Sequence, residues 1–192
     1  ETLGVWPALA PHAQPVTAID ITDSSLGDAV RPVLLSYDNV LSHEEPGTYI
    51  VENDRLRNAL VAAALERAAV TLIGGSSTTG FTAGEHGVRL SLPGRSIQSR
   101  LLIAADGRAS RLRDAAGIKV VRWTYPQMGI VTTVQHARPH HGRALQHFLP
   151  SGPFAVLPLT GNRSCITWTE EESRAKEILA LDDTGFAAEI DK

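Results

Sequence analysis

The stretch of this 192-residue chain best suited to chemistry is Asp106-Gly107-Arg108-Ala109-Ser110-Arg111-Leu112-Arg113, which follows the apolar run Leu101-Leu102-Ile103-Ala104-Ala105. It sets a carboxylate, a glycine, a hydroxyl and a guanidinium close together. A carboxylate at the carboxyl edge of a sheet lies where open α/β folds bind ligands, and the glycine lets a cofactor approach the backbone closely. Arg113 can pair with a phosphate or with the aspartate itself. Taken alone, Asp-Gly is also an ordinary turn signal. Asn53 is a second candidate. An amide at a helix start caps the helix, and the same N-terminus favours phosphate, so the two roles are compatible.

Other groupings carry less. His136, His140, His141 and His147 crowd one region, but Pro139 interrupts their spacing and no carboxylate or cysteine sits among them, so no metal is expected there. Cys165 lies in the middle of a strand-like run with no positive group or helix start beside it, which suits a small buried residue and not a nucleophile. Glu170-Glu171-Glu172 reads as the acidic start of a short helix, favoured by the helix dipole.

The elements that must hold these residues follow from periodicity. Leu3, Val5 and Trp6 before Pro7 suggest the tail of a helix and then a loop. Val16 to Thr22, ended by Asp23-Ser24-Ser25, and Pro32 to Tyr37 have strand length, with an exposed loop from Ser42 to Pro46. Asn53 as N-cap with Leu56, Leu60, Ala63 and Ala64 predicts an amphipathic helix over 53–67. Val70 to Ile73 predicts a short strand, and residues 86–105 a hairpin turning at Pro93-Gly94. A short helix after Ser110 should end at Gly117. Trp123 to Val134, Ala144 to Leu149, Phe154 to Leu159 and Ser164 to Thr169 predict four strands of an antiparallel or mixed sheet, followed by a helix from about Glu170 to Leu181.

Three of these stretches resemble one family. Leu101 to Arg113 is similar to the Asp-Gly motif of the para-hydroxybenzoate hydroxylase family of flavoprotein monooxygenases. Tyr49-Ile50-Val51-Glu52-Asn53 through Leu60 resembles the segment entering the helix beside the flavin. Tyr125-Pro126-Gln127, Ala144 through Leu159 and Ile166-Thr167-Trp168 resemble, in order and spacing, the ubiquinone-biosynthesis branch, where this sheet floors the substrate pocket. The resemblance implies an α/β (α+β) fold, with residues 1–120 a partial FAD-binding domain and 121–192 a partial substrate-binding domain. It implies cofactor contacts for Asn53, Arg57, Asp106, Gly107 and Arg113, and a substrate pocket with Gln127, Phe148, Gly152, Pro153, Leu157 and Pro158.

The implied activity is that of an FAD-dependent monooxygenase, with NAD(P)H or a protein reductant as electron donor, acting on a phenolic, polyprenylated ubiquinone precursor. Two alternatives stay open: a flavin monooxygenase with another aromatic substrate, and a flavin-free binding or assembly module. The family's Gly-x-Gly-x-x-Gly fingerprint and its later Gly-Asp motif do not occur between Glu1 and Lys192, so these residues alone are expected to be an inactive internal piece. With 43% hydrophobic residues the chain can bury a substantial core. Its 18 Lys and Arg against 21 Asp and Glu leave a net charge of -3, which argues against a nucleic-acid partner. One cysteine excludes an intramolecular disulfide and fits a reducing compartment. A cytoplasmic location is expected, peripheral to the inner membrane if the substrate carries a prenyl tail, with contact to a ubiquinone-biosynthesis complex.

Overall fold

The computed structural model describes residues 2–23 and 32–191. Ser24 and Ser25, expected to end a strand, lie outside them. In chain order the elements are α1 (Trp6–Leu9), β1 (Gln14–Val16), β2 (Ala18–Asp23), β3 (Val33–Asp38), β4 (Thr48–Ile50), α2 (Asn53–Leu65), β5 (Gly80–Gly84), β6 (Gly87–Leu92), β7 (Arg95–Ser99) and α3 (Arg111–Ala115). They continue with β8 (Gln127–Gln135), β9 (Arg143–Leu149), β10 (Gly152–Leu159), β11 (Arg163–Glu171), α4 (Glu172–Leu179) and α5 (Asp183–Ile190). The chain forms two compact units, one of Glu1–Arg67 with Tyr125–Lys192 and one of Ala68–Thr124.

The first unit is built on a six-stranded sheet in the order β3-β2-β9-β10-β11-β8. Every pairing is antiparallel except β2 with β9, so the sheet is mixed. β11 shows why it holds: Ser164, Ile166, Trp168 and Glu170 are buried while the residues between them are only half-buried. Side chains alternate between faces, so one set enters the core and the other faces a more open side. Ile130, Ile166 and Trp168 pack against Ala175 and Ile178 of α4, with Phe154 and Phe186 at the margin. The Phe154 and Trp168 rings meet edge to face, 5.6 Å apart. Arg174 ties α4 to α5 by reaching Glu189 at 2.7 Å, and Asp182 caps α5 by accepting from the Gly185 amide.

Two helix starts differ from expectation. Pro7 lies inside the first turn of α1 and does not end a helix, because a first-turn residue has no intrahelical amide bond to lose. The N-cap of α2 is Glu52, in extended conformation, and Asn53 is the first helical residue.

The second unit carries a three-stranded antiparallel meander, β5-β6-β7, and the short α3. The 93–94 turn is present, with Gly94 at φ 72. α3 ends as expected at Gly117, φ 69, where the Ile118 amide returns to the Arg113 carbonyl. One expected strand did not form and another is shorter than expected: Val70 to Ile73 belongs to no strand, and β7 stops at Ser99, which leaves Leu101 to Ala105 outside it. A strand needs a hydrogen-bonded neighbour, and apolar content alone does not supply one.

Candidate functional site

In the first unit, a cleft of about 820 Å³ opens between the N-terminal turn of α2 and the sheet. Asn53, Arg55 and Asn58 line it from the helix, and Val131, Thr133 and Cys165 from the strands. Asp54 and Asn58, one turn apart, share the helix face that borders it. The Glu52 carbonyl starts α2 by accepting from the Arg55 and Leu56 amides at 3.0 and 3.2 Å. Its carboxylate does not cap the helix. Instead it receives both ends of the Arg163 guanidinium, at 3.1 and 3.2 Å. The Arg163 hydrogen bond holds the Glu52 carboxyl below its ordinary value of 4.5, against the opposing effect of burial and with help from the charges of Arg163, Arg55 and His12. The same pairing pushes Arg163 up.

The sheet face that carries Cys165 also carries most of the apolar residues expected around a substrate. Leu157 lies opposite Cys165, and Phe148 opposite Pro153, in the strand register. With period-two alternation these share one face. Pro158, opposite Ser164, belongs to the other face and is fully buried, so it packs the core and does not line this surface. Gly152 sits at φ 140, where an added Cβ would lie 2.7 Å from the Thr169 methyl. Gln127 donates through Nε2 to the Ser151 carbonyl at 2.6 Å and borders a separate cavity of about 550 Å³ with Tyr125, Pro126, Ser151, Glu171 and Glu172. Glu170, beneath that end of the sheet, is buried and accepts from the Ser151 hydroxyl and the Glu171 amide. The acidic triplet is therefore only partly a helix start, since α4 begins at Glu172.

In the second unit the Asp-Gly motif is organised around α3. The Asp106 carboxylate accepts from the Ser110 hydroxyl at 2.5 Å and from the Arg111 and Leu112 amides at 3.0 and 3.4 Å. The Ser110 bond, followed after an opposing burial effect by backbone amides, keeps its carboxyl below 3.8. Ser110 in turn caps α3 by accepting from the Arg113 amide. Arg113 does not reach Asp106: its guanidinium bonds Asp114 and the Arg108 carbonyl. Gly107, at φ 86, borders an apolar cavity of about 570 Å³ with Phe81, Val88, Leu102, Leu112 and Ile118.

Of the remaining candidates, Arg57 pairs with Asp54 at 3.2 Å on an exposed part of α2 and does not line the cleft. Cys165 is half-buried at the cleft wall, not fully buried, and Arg163 shares its strand face two positions away. His140 accepts from the Gly142 amide and donates to the Leu159 carbonyl, while His136 engages the Arg138 carbonyl and Ser164. Among the described residues no three His, Cys, Asp or Glu side chains gather as metal ligands. No described helix is long and apolar enough to cross a membrane. Sequence reasoning passed over Arg163 and Asn58. The two-residue period of β11 and the helical i, i+4 step from Asp54 are the signals that would have found them.

Comparison with known proteins agrees with this architecture. The chain is 37% identical to ubiquinone hydroxylase UbiL of Rhodospirillum rubrum, over all of this chain and 44% of that protein. It is 36% identical to the mitochondrial ubiquinone biosynthesis monooxygenase COQ6 of Mus musculus, over 74% of this chain and 32% of the relative. The chain therefore spans less than half the length of these two relatives. Among solved structures, PqsL of P. aeruginosa in complex with 2-aminobenzoylacetate matches with a TM-score of 0.75 at 19% identity, over 93% of this chain and 50% of that one, a likeness of fold. A family model described as FAD binding domain matches residues 1–188, and the chain belongs to that family.

Proposed function

We propose that this chain is part of an FAD-dependent monooxygenase that hydroxylates a phenolic, polyprenylated ubiquinone precursor. The observation that carries the reading is the cleft of about 820 Å³ between the first turn of α2 and the sheet residues Val131, Thr133, Leu159 and Cys165, with Phe148, Pro153 and Leu157 further along the same sheet face. Its volume falls in the range of about 300–1,000 Å³ usual for cofactor and ligand clefts, and its lining mixes the amides of Asn53 and Asn58, two arginines, two carboxylates and the Thr133 hydroxyl with aliphatic side chains. That chemistry fits a flat heteroaromatic group with polar edges. Support for the substrate class comes from the ubiquinone hydroxylase named among the relatives.

In this reading Asn53 serves the cofactor from the first turn of α2, with Arg57 acting through its pair with Asp54, and Asp106, Gly107 and Arg113 are taken separately as cofactor contacts within the second unit. Residues 1–120 contribute to FAD binding and 121–192 to substrate binding. Gln127, Gly152 and Pro158 shape the sheet that presents Phe148, Pro153 and Leu157 to the ring and its tail. When bound, FAD supplies electron transfer from NAD(P)H or a protein reductant to dioxygen and insertion of one oxygen atom into the ring. The chain's own residues orient the phenol, keep water from the reacting face and stabilise its developing negative charge. A prenyl tail calls for peripheral contact with the inner membrane or with a ubiquinone-biosynthesis complex.

The test uses the full-length protein. A visible flavin spectrum, together with transfer of isotopically labelled dioxygen into a short-chain prenylphenol, is the expected result. A flavin spectrum without labelling would reject the substrate class. A colourless protein that FAD does not reconstitute would reject the whole assignment and favour a flavin-free binding module.

A further inference from the structure

The Glu52 and Arg163 pair is unusual in what it connects. Arg163 opens β11 immediately after a turn that is pinned from several sides. Its Nε donates to the Thr160 carbonyl at 3.1 Å, so the guanidinium is aimed before it meets Glu52. In the same turn, Asn162 at φ 58 donates to the His136 carbonyl, and the His136 amide donates to the Asn162 carbonyl at 3.2 Å, locking the turn to the end of β8. The start of an interior strand, paired on both sides, therefore presents a two-pronged donor to a residue of another element. That residue is the N-cap of α2, directly before Asn53.

The pairing has two consequences for the cleft. It anchors the entry of α2 against the sheet, which sets the height of Asn53, Arg55 and Asn58 above Val131, Thr133 and Cys165. It also occupies the carboxylate that would otherwise fold back onto the first-turn amides, and α2 has no side-chain cap. Glu52 is thus held off the first-turn amides, and the acidic group that remains in that turn, Asp54, pairs with Arg57 at 3.2 Å. Both partners are about one-third exposed, at 36% and 33%, so the pair lies at the cleft wall and not in the core.

We infer that Glu52 and Arg163 are a positioning pair that sets the first turn of α2 over the cleft and keeps its N-terminus open to the ligand bound there. The ligand is taken to be flavin, so this part rests on the function proposed above. Neither residue is assigned a chemical step. The fork geometry matters as well as the charge, because one planar guanidinium fixes both carboxylate oxygens and a lysine would hold a single point.

The experiment compares full-length wild type with Glu52→Gln, Arg163→Lys and the exchanged pair Glu52→Arg with Arg163→Glu. Two readouts are taken: hydrogen exchange of amides 53–56 in the flavin-free protein, and FAD affinity by quenching of flavin fluorescence. Each single variant should speed exchange in that turn and weaken FAD binding by about threefold to tenfold, with the exchanged pair recovering part of both losses. Unchanged exchange and affinity in both single variants would overturn the inference. So would faster exchange spread evenly through β8–β11, which marks a general structural tie. If wild type binds no flavin while exchange at 53–56 still responds, the positioning of α2 is upheld and the flavin reading fails instead.

Discussion

The two compact units have similar proportions of apolar residues and use them very differently. In the first, strand candidates find partners, and Ile166 and Ile178 are 2% and 0% exposed. In the second, Ile103 is 75% exposed and Val121 85%, and the apolar runs at 70–73 and 101–105 join no strand among the described residues. What differs is the supply of neighbours. A strand is defined by its hydrogen-bonded partner and a core residue by what covers it, and neither is encoded in the run itself. The second unit's order comes instead from local devices: a tight hairpin, a capped single-turn helix and glycines in the left-handed region.

That contrast can be broken most forcefully in the first unit. Ile166→Ala should destabilise the protein by about 2–5 kcal/mol, because it opens a cavity beneath Trp168. Ile103→Ala in the second unit should stay within about 0.5 kcal/mol. Denaturant titrations of the two variants measure the difference, and comparable losses would show that Ile103 is buried in solution. A smaller effect, about 1–3 kcal/mol, is expected for Gly152→Ala, which combines an unfavourable φ with a contact against the Thr169 side chain. Thermal unfolding monitored by circular dichroism would register it, and an unchanged midpoint would mean that the 150–152 turn yields freely.

The local devices of the second unit are probed by Ser110→Ala. It removes the cap on α3 and the hydroxyl that bonds Asp106, and should cost about 1 kcal/mol. Ser110→Thr should retain most of that stability, and a null result for alanine would make the cap dispensable.

The smallest expected effect is one of pH. The Ser36 hydrogen bond, against the effect of burial and with Arg143 assisting, keeps the Asp20 carboxyl below its ordinary 3.8. A depressed carboxylate stabilises the fold above its unfolded value, and that contribution fades as pH falls from about 4 through the lower folded-state value. Asp20→Asn should therefore flatten the fall in melting temperature below pH 4. An unaltered slope would assign the acid sensitivity elsewhere.

Much of the first unit was legible from pattern. β8 to β11 were found because runs of strand length are separated by Gly and Pro turns, and α2 because its apolar residues recur at helical spacing. Asn53, which lines the cleft, was misread as the N-cap. Local preference favours asparagine at that position, whereas the conformation of Glu52 is set together with Arg163, 111 residues away. The strand at 101–105 was misread because periodicity reports which residues are apolar and not whether a partner strand stands alongside.

The sequence by itself determined the family, the turn glycines, the capping serine of α3 and the alternation that gives the sheet two faces. These depend on short-range sterics and spacing, which a linear string records. Only the tertiary structure decided that Pro158 packs the core while Leu157 faces the cleft side, that Asp106 serves its own helix instead of Arg113, and that Arg163 reaches Glu52. Each of these depends on strand register and on the approach of distant segments. Such contacts are selected by the packing of the whole unit, and no local run of residues specifies them.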